Sequence, residues 1–193
     1  MRIPRLVLAT RNRGKVDEIR QIIAGWDLVD EVVADGEWDE VDETGETLEA
    51  NALLKARAVV EATGFPALAD DTGLEVAALG GRPGVHTARY AGPDATYDDN
   101  IDRLLSELGG ASDRSARFVT VVALVFLDGS YHTAEGSIQG RIGEERRGSG
   151  GFGYDPVFEV GGVTFAEMGV EAKNRLSHRA VALQRLGEWL RSA

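Results

Sequence analysis

The chain has 193 residues, of which 43% are hydrophobic and 27% charged, and these proportions are typical of a globular protein with one sizeable core. Its formal net charge of −11 argues against a nucleic acid as the main partner, because affinity for polyanions comes from many basic contacts. The absence of cysteine excludes disulfides, thiolate metal sites and a cysteine nucleophile.

Hydropathy argues against a membrane protein. No apolar run approaches the length of a membrane span, and the apolar stretch near the N-terminus is too short for a signal peptide. We therefore expect a cytoplasmic protein with neither a membrane nor a nucleic acid as partner.

The first third of the chain predicts alternating strands and helices. Arg5–Thr10 is an apolar run suited to a buried strand, and Leu28–Val33 predicts a second strand. Between them, apolar residues recur at helical spacing: Val16, Ile19, Ile22 and Ile23. A long helix is predicted from Thr44 or Thr47 to Thr63, where Gly64 ends it.

The rest of the chain continues this mixture of elements. Pro66–Ala69 predicts a buried strand, and Tyr97–Leu108 an amphipathic helix. Residues 117–143 predict two or three long antiparallel strands with Asp128 and Gly129 at the turn, and a last helix begins near Ser177. These elements predict an α/β fold with a mixed sheet, formed as one folding unit over residues 1–193.

A glycine-rich segment, GSGGFGYDP, extends from Gly148 to Pro156 and contains the spacing G-x-G-x-x-G. In a dinucleotide-binding turn these glycines follow a strand and open a helix. Here a proline and an apolar pair follow, so the segment does not predict a dinucleotide site. Its glycines indicate a backbone that turns tightly or lets another group approach closely.

The junction between the first strand and the first helix, TRNRGK, has the outline of a phosphate site. Thr10 or Asn12 can cap the helix, whose free N–H groups then face an anion within reach of Lys15. The alternative is an ordinary helix cap with a solvated lysine. The segment is not a Walker loop, because G-x-x-x-x-G-K-[ST] occurs nowhere in the chain.

Carboxylates are concentrated in two places. One group precedes and enters the long helix (Asp42, Glu43, Glu46 and Glu49), where a solvated helix start is the alternative reading. The other, Asp70 and Asp71, directly follows the predicted strand Pro66–Ala69, where two adjacent charges are costly near a core. Oxygen ligands of this kind suit Mg²⁺ held jointly by carboxylates and substrate phosphates.

Aromatic and basic side chains near the C-terminus favour a nucleotide base as ligand. Phe152 and Tyr154 on the glycine-rich segment offer faces on which a base can stack. The segment KNRLSHR adds hydrogen-bond donors in Lys173, His178 and Arg179, although the pattern favours a surface histidine for His178 taken alone.

Five blocks of the sequence together resemble the inosine triphosphate pyrophosphatase family, also called XTP/dITP diphosphatases. They occur in the family's order and cover nearly the whole chain. They read LATRNRGKVDEI, DETGETLEANALLKA, ALADDTGLEVAALGGRPGVHTARYAG, GSGGFGYDPVF and AKNRLSHRAVAL. Only three of the 21 basic residues are lysine, and Lys15, Lys55 and Lys173 all fall inside these blocks.

The resemblance implies an elongated two-lobed α/β fold with a long central mixed sheet flanked by helices, and an active site in the cleft between the lobes. It also implies a homodimeric, Mg²⁺-dependent enzyme. The implied reaction hydrolyses noncanonical purine nucleoside triphosphates (XTP, dITP or ITP) to the monophosphate and pyrophosphate. Such an enzyme removes deaminated purines from the nucleotide pool.

The resemblance also implies roles for individual residues. The triphosphate is held by Thr10, Arg11, Asn12 and Lys15, with Lys55 close by. Glu43 binds the metal, with Asp42 as the alternative ligand, and Asp71 serves as metal ligand or general base beside Thr72. The base pocket is formed by Phe152, Gly153, Tyr154, Asp155, Lys173, Ser177, His178 and Arg179. Many family members have glycine in place of Arg11 and serine in place of Thr72.

Three other functions are alternatives to hydrolysis of noncanonical purine nucleoside triphosphates. A Maf-like nucleotide pyrophosphatase has a related fold and acts on other bases. A haloacid-dehalogenase-type phosphatase requires D-x-D-x-[TV], and Asp70, Asp71 and Thr72 have the wrong spacing for it. A nucleotide sensor without catalysis would bind dITP and leave it intact.

Overall fold

The computed structural model describes residues 1–36, 38–39 and 41–193. They form two compact units. Unit 1 comprises Met1–Asp71, Thr120–Gly136 and His178–Ala193, and unit 2 comprises Thr72–Val119 and Ser137–Ser177. Within the described ranges, none of the helices has the length and apolar character that crossing a bilayer requires.

Over the ranges that the structure describes, the fold contains eight strands and five α-helices. The strands are β1 (Ile3–Leu8), β2 (Val29–Val33), β3 (Ala67–Val76), β4 (Pro83–Gly84), β5 (Ser115–Val125), β6 (Tyr131–Ile142), β7 (Phe158–Val160) and β8 (Val163–Thr164). The helices are α1 (Arg13–Ile23), α2 (Leu48–Thr63), α3 (Tyr97–Glu107), α4 (Val170–Leu176) and α5 (His178–Ser192).

The strands form a mixed sheet, which confirms the predicted α/β class. Their order is β2-β1-β3-β5-β6-β7-β8, and β4 pairs with β3. β1 is parallel to both β2 and β3, whereas β4 is antiparallel to β3 and β7 is antiparallel to β6 and β8. Because β1 ends at Leu8, opposite Leu68 of β3, the residues that follow β1 lie near the β3 residues that follow Leu68.

In unit 1, successive side chains of β1 and β3 pack into two separate hydrophobic cores. Leu8 and Leu68 pack with residues of α1 and α5, including Ile19 and Leu183. Val7, Ala67 and Ala69 pack instead with residues of α2, including Ala52 and Ala56. Because successive strand residues point to opposite faces, the residues that follow Ala69 are divided between the α1/α5 face and the α2 face.

Unit 2 has an aromatic core of its own. Phe158 of β7 lies with its ring centroid 4.6 Å from Phe118 of β5 and 5.0 Å from Phe165. The apolar face of α3 joins this core through Ile101 and Leu104, both almost fully buried. This core supports the glycine-rich segment, whose Tyr154 belongs to the same cluster.

Helix ends follow the local signals in the sequence. α1 begins after Asn12, whose side chain accepts a hydrogen bond from the Lys15 N–H, so Asn12 is the cap. α2 begins after Thr47 and ends at Gly64, which has a positive φ of 69°. The turn at Asp128 and Gly129 joins two strands, β5 and β6.

The prediction that β3 ends at Ala69 is wrong. β3 continues to Val76, so Asp70 and Asp71 lie inside the strand. The register explains the difference. β1 pairs with β3 at Ala67 and Leu68, and β4 then pairs with it at Leu74 and Glu75, which keeps the polar stretch between them extended. The separate helix α4 was also not predicted.

Candidate active site

The N-terminus of α1 lies just beyond the end of β1 in unit 1. The Asn12 side chain accepts from the Lys15 N–H at 3.2 Å, and the Thr10 hydroxyl accepts from the Asn12 N–H at 3.2 Å. Arg11 is exposed, and its guanidinium donates to the backbone oxygen of Trp38. The first turn of an eleven-residue helix therefore presents N–H groups that can receive an anion.

Asp70 lies on the α1/α5 face and is surrounded by positive charge. Its Oδ2 is 3.1 Å from Lys15 Nζ and 3.0 Å from Arg179 Nη2, and Arg179 also pairs with Glu18. Burial alone raises the pKa of Asp70, but Lys15, Arg179 and Lys55 together outweigh it, so the pKa lies well below its usual range. Asp70 is therefore an ionised group that holds two cations in place.

Asp71 points to the opposite face, towards α2. Its Oδ1 is 3.1 Å from Lys55 Nζ, and its Oδ2 accepts a hydrogen bond from Asn51 Nδ2 at 3.2 Å. Burial raises the pKa of Asp71; Lys55 opposes this effect, and the carboxylate of Glu43 adds to it. A buried carboxylate with a raised pKa among other polar groups has the property expected of a general base.

Two carboxylates converge on one cation at this site. Lys55 Nζ is 2.6 Å from Glu43 Oε1 and contacts Asp71 as well, so one ammonium bridges the two carboxylates. Among the described residues, no group of three or more Asp, Glu or His side chains could hold a metal ion. Two carboxylates nevertheless fit Mg²⁺, which takes its other ligands from water and phosphates. Asp42 is exposed, so Glu43 is the better placed of the two adjacent acids.

Unit 2 contributes a second polar cluster, on the glycine-rich segment and α4. Lys173 Nζ lies 2.5 Å from Asp155 Oδ2 and 4.9 Å from the centroid of the Phe152 ring. Asp155 Oδ2 also accepts from the Phe152 N–H at 2.8 Å. A buried ammonium is thus fixed beside an aromatic ring that is half exposed, an arrangement that suits a planar base with an acceptor at its edge.

The close approach of Asp155 explains one of the glycines. Gly151 has a φ of 72°, and a Cβ at that position would lie 1.9 Å from Asp155 Oδ2. Tyr154 is buried, and its hydroxyl donates to the backbone oxygen of Thr87 at 3.0 Å. Burial raises the pKa of Tyr154 above its ordinary value. Tyr154 therefore anchors the segment, whereas the Phe152 ring is half exposed and lies beside Tyr97 and Lys173.

The predicted site residues fall into both units. Unit 1 holds Thr10, Arg11, Asn12, Lys15, Glu43, Lys55, Asp71, His178 and Arg179; unit 2 holds Thr72, Phe152, Gly153, Tyr154, Asp155, Lys173 and Ser177. Although Arg179 was predicted to line the base pocket, the structure places its guanidinium against Asp70 and Glu18.

Two residues that contact the predicted site residues of unit 1 were not themselves predicted. They are Asn51, which contacts Asp71, and Glu18, which contacts Arg179. Asn51 lies four residues before Lys55 in α2, and Glu18 three residues after Lys15 in α1. Residues at these spacings share one face of a helix. Helical spacing from a recognised lysine was therefore the signal that could have identified both.

Comparison with known proteins adds independent information. The sequence model of the Ham1 family matches residues 6–189. The dITP/XTP pyrophosphatase of Methylococcus capsulatus is 52% identical over 198 residues, with 97% of this chain and 96% of that protein covered. The dITP/XTP pyrophosphatase of Symbiobacterium thermophilum is 50% identical over 190 residues, with coverage of 96% and 94%.

Solved structures agree with the sequence comparison. A HAM1 protein from Coxiella burnetii is 38% identical with a TM-score of 0.88, and the match covers 99% of this chain and 100% of that one. A nucleoside-triphosphatase and dITP/XTP pyrophosphatase from Mycobacterium abscessus is 39% identical with a TM-score of 0.72, over 94% and 97% of the two chains.

Proposed function

This chain belongs to the Ham1 family, and from that premise we propose that it hydrolyses XTP, dITP and ITP to the nucleoside monophosphate and pyrophosphate. It is a nucleoside triphosphate pyrophosphatase, and its role is to remove deaminated purines from the nucleotide pool. One observation in the structure carries the proposal: Glu43 and Asp71 converge on one cation beside a helix N-terminus that carries Lys15.

We propose Mg²⁺ as the metal, held by Glu43 and Asp71. The donor set supports this choice, because hard oxygen ligands and a share of substrate phosphate are what Mg²⁺ prefers. When bound, Mg²⁺ neutralises phosphate charge and makes pyrophosphate a better leaving group. Lys55, which contacts both carboxylates, would add a positive charge close to the phosphates.

The residues of unit 1 have distinct tasks in the reaction. Lys15 and the N–H groups at the start of α1 bind the triphosphate, and Asp70 keeps the Lys15 ammonium in place. The Asp71 carboxylate orients a water molecule and accepts its proton as the water attacks the α-phosphorus in line. The bond between the α-phosphorus and the bridging oxygen breaks, and pyrophosphate leaves.

Unit 2 supplies the contacts that select the base. Inosine and xanthosine carry a carbonyl oxygen at the purine 6-position, and the Lys173 ammonium can donate a hydrogen bond to it while Phe152 stacks on the ring. Adenine carries an amino group there, which would leave a buried donor unpaired. We therefore propose that ATP is rejected at this position.

A panel of nucleotides tests the proposed function. Purified protein is incubated with Mg²⁺ and XTP, dITP, GTP or ATP in parallel, and the products are read by ³¹P NMR. We expect pyrophosphate and monophosphate from XTP and dITP, with little from ATP because of its 6-amino group. Little product is also expected from GTP, but guanine shares the 6-oxo group, so its rejection has to come from the 2-position. Orthophosphate as the product, or no turnover of any purine, would contradict the proposal.

Loss of the Phe152 ring should weaken substrate binding. Stacking on an aromatic side chain is worth about 1–3 kcal/mol, so Phe152→Ala is expected to raise the KM for dITP by about 5- to 150-fold. Phe65→Ala is the control, because this half-exposed ring lies in unit 1 against Arg5. An unchanged KM in Phe152→Ala would remove Phe152 from the base site.

The homodimeric state and the cytoplasmic location that the sequence predicts are part of the same proposal. Light scattering of the purified protein tests the first of these. A mass equal to one chain, at the concentrations used for the activity assay, would contradict it.

A further inference from the structure

Asn51 contacts Asp71 in unit 1 but takes no direct part in the proposed reaction. It is fully buried in α2, one helical turn before Lys55. Its Oδ1 accepts a hydrogen bond from the Gly45 N–H at 2.8 Å, and its Nδ2 donates to Asp71 Oδ2 at 3.2 Å. Both ends of the carboxamide are therefore used.

These two partners define the orientation of the amide. A rotated amide would set its NH₂ group against the Gly45 N–H and its carbonyl oxygen against a carboxylate, and both contacts are repulsive. Asn51 thus occupies Asp71 Oδ2, and Asp71 Oδ1 is the oxygen that faces Lys55. The amide decides which oxygen of Asp71 is presented to a cation.

The same contacts link Asp71 to the segment that carries Glu43. Gly45 lies two residues after Glu43. The Glu43 carboxylate contacts Lys55, and Lys55 in turn contacts Asp71. A Cβ on Gly45 would lie 2.6 Å from Asn51 Oδ1, closer than real Cβ atoms approach. Glycine at position 45 therefore permits the close approach that joins this segment to Asn51.

We propose that Asn51 is a positioning residue that holds the two metal-binding carboxylates in register, Asp71 directly and Glu43 through the Gly45 backbone. The inference rests on the proposed function, since it concerns how that reaction's carboxylates are placed. Partners behind metal ligands typically change metal affinity or activity by about 10- to 100-fold when they are removed. The triphosphate contacts of Lys15 are not touched, so the effect is expected mainly on kcat.

The test compares two buried asparagines of the same chain. Asn100 in α3 is also almost fully buried, and its amide accepts from the Ala91 N–H at 2.7 Å and donates to the Ala88 oxygen at 3.0 Å. It bridges backbone groups and contacts neither Asp71 nor Glu43. Asn51→Leu and Asn100→Leu therefore remove equivalent hydrogen bonds, with and without a carboxylate partner.

Four quantities are measured for each variant: kcat and KM with dITP, the affinity for Mn²⁺ by electron paramagnetic resonance, and the melting temperature. For Asn51→Leu we expect kcat and Mn²⁺ affinity to fall by about 10- to 100-fold, with a much smaller change in KM. For Asn100→Leu we expect a lower melting temperature and no change in kcat or Mn²⁺ affinity.

A second variant keeps the test decisive if Asn51→Leu does not fold. Gly45→Ala leaves Asn51 in place but pushes on its Oδ1 from a half-buried segment outside the core. Its control is Gly25→Ala, where an added Cβ would meet only the Ile22 oxygen at 4.0 Å. We expect Gly45→Ala to lose kcat and Mn²⁺ affinity and Gly25→Ala to retain both.

The outcomes separate this inference from the proposed function. If the wild type hydrolyses dITP and folded Asn51→Leu or Gly45→Ala keeps its kcat and Mn²⁺ affinity, the positioning role is wrong and the proposed function stands. If the wild type itself releases no pyrophosphate from dITP, the proposed function falls and the inference falls with it.

Discussion

Asp71→Asn is expected to lower kcat for dITP by at least about a hundredfold, since a positioned general base contributes 10²- to 10⁴-fold. The substitution preserves shape and removes the charge and the proton-accepting oxygen. The folded protein is expected to keep or gain thermal stability, because burial penalises the ionised carboxylate and its pKa is raised. Steady-state kinetics at saturating Mg²⁺ and a thermal melt together measure both effects.

Asp98→Asn provides the matched control. Asp98 lies in α3 with an 83% exposed side chain, and neither kcat nor the melting temperature should change on its substitution. Full turnover by Asp71→Asn would show that another group accepts the proton. Loss of activity accompanied by unfolding would show instead that Asp71 is a structural residue.

Arg179→Met is expected to cause the largest loss of stability. The guanidinium is 2% exposed and neutralises two carboxylates, Asp70 and Glu18, that have little access to water. Removing one partner of a buried ion pair typically costs about 3–5 kcal/mol, because a charge remains buried without compensation. The free energy of unfolding in urea at neutral pH measures this loss.

Arg175→Met is the corresponding control in α4. Its guanidinium is 75% exposed and lies 4.0 Å from Glu171, so little change in stability is expected. A free energy of unfolding in Arg179→Met equal to that of the wild type would show that Asp70 keeps its charge without Arg179. The role given to Arg179, as the group that neutralises Asp70 and Glu18, would then be wrong.

Two adjacent aspartates acquire opposite properties in this fold because the strand sends them to opposite faces. At Asp70, Lys15 and Arg179 outweigh the effect of burial and lower the pKa, whereas at Asp71 burial, with a smaller contribution from Glu43, raises the pKa against the effect of Lys55. When two neighbouring carboxyl groups have pKa values shifted in opposite directions, commonly one is a structural charge and the other takes part in the reaction. The geometry therefore supports Asp71, rather than Asp70, as the base.

The features that were predictable from sequence are those with local causes. Thr47 and Gly64 mark the ends of α2 because a cap and a left-handed turn are properties of single residues. The length of β3 was not predictable, since its second half is held by pairing with β4. Pairing of this kind depends on residues that are not adjacent in the sequence.

The site residues show the same contrast between local features and contacts made by residues distant in the sequence. The lysines were recognised from motifs, but the partners of Arg179 lie 109 and 161 residues away in the chain, at Asp70 and Glu18. Asn51 reaches Asp71 across 20 residues. Only the packing of α1, α2 and α5 against the sheet brings these groups together. The roles assigned to individual site residues remain predictions.

Hydrolysis of dITP in ¹⁸O-labelled water tests the central claim most directly. Attack at the α-phosphorus places the label in the monophosphate and leaves the released pyrophosphate unlabelled, and mass spectrometry distinguishes the two products. We predict label in dIMP alone. Label in pyrophosphate or in orthophosphate would contradict the account, because water would then have attacked a different phosphorus from the one that Asp71 is proposed to serve.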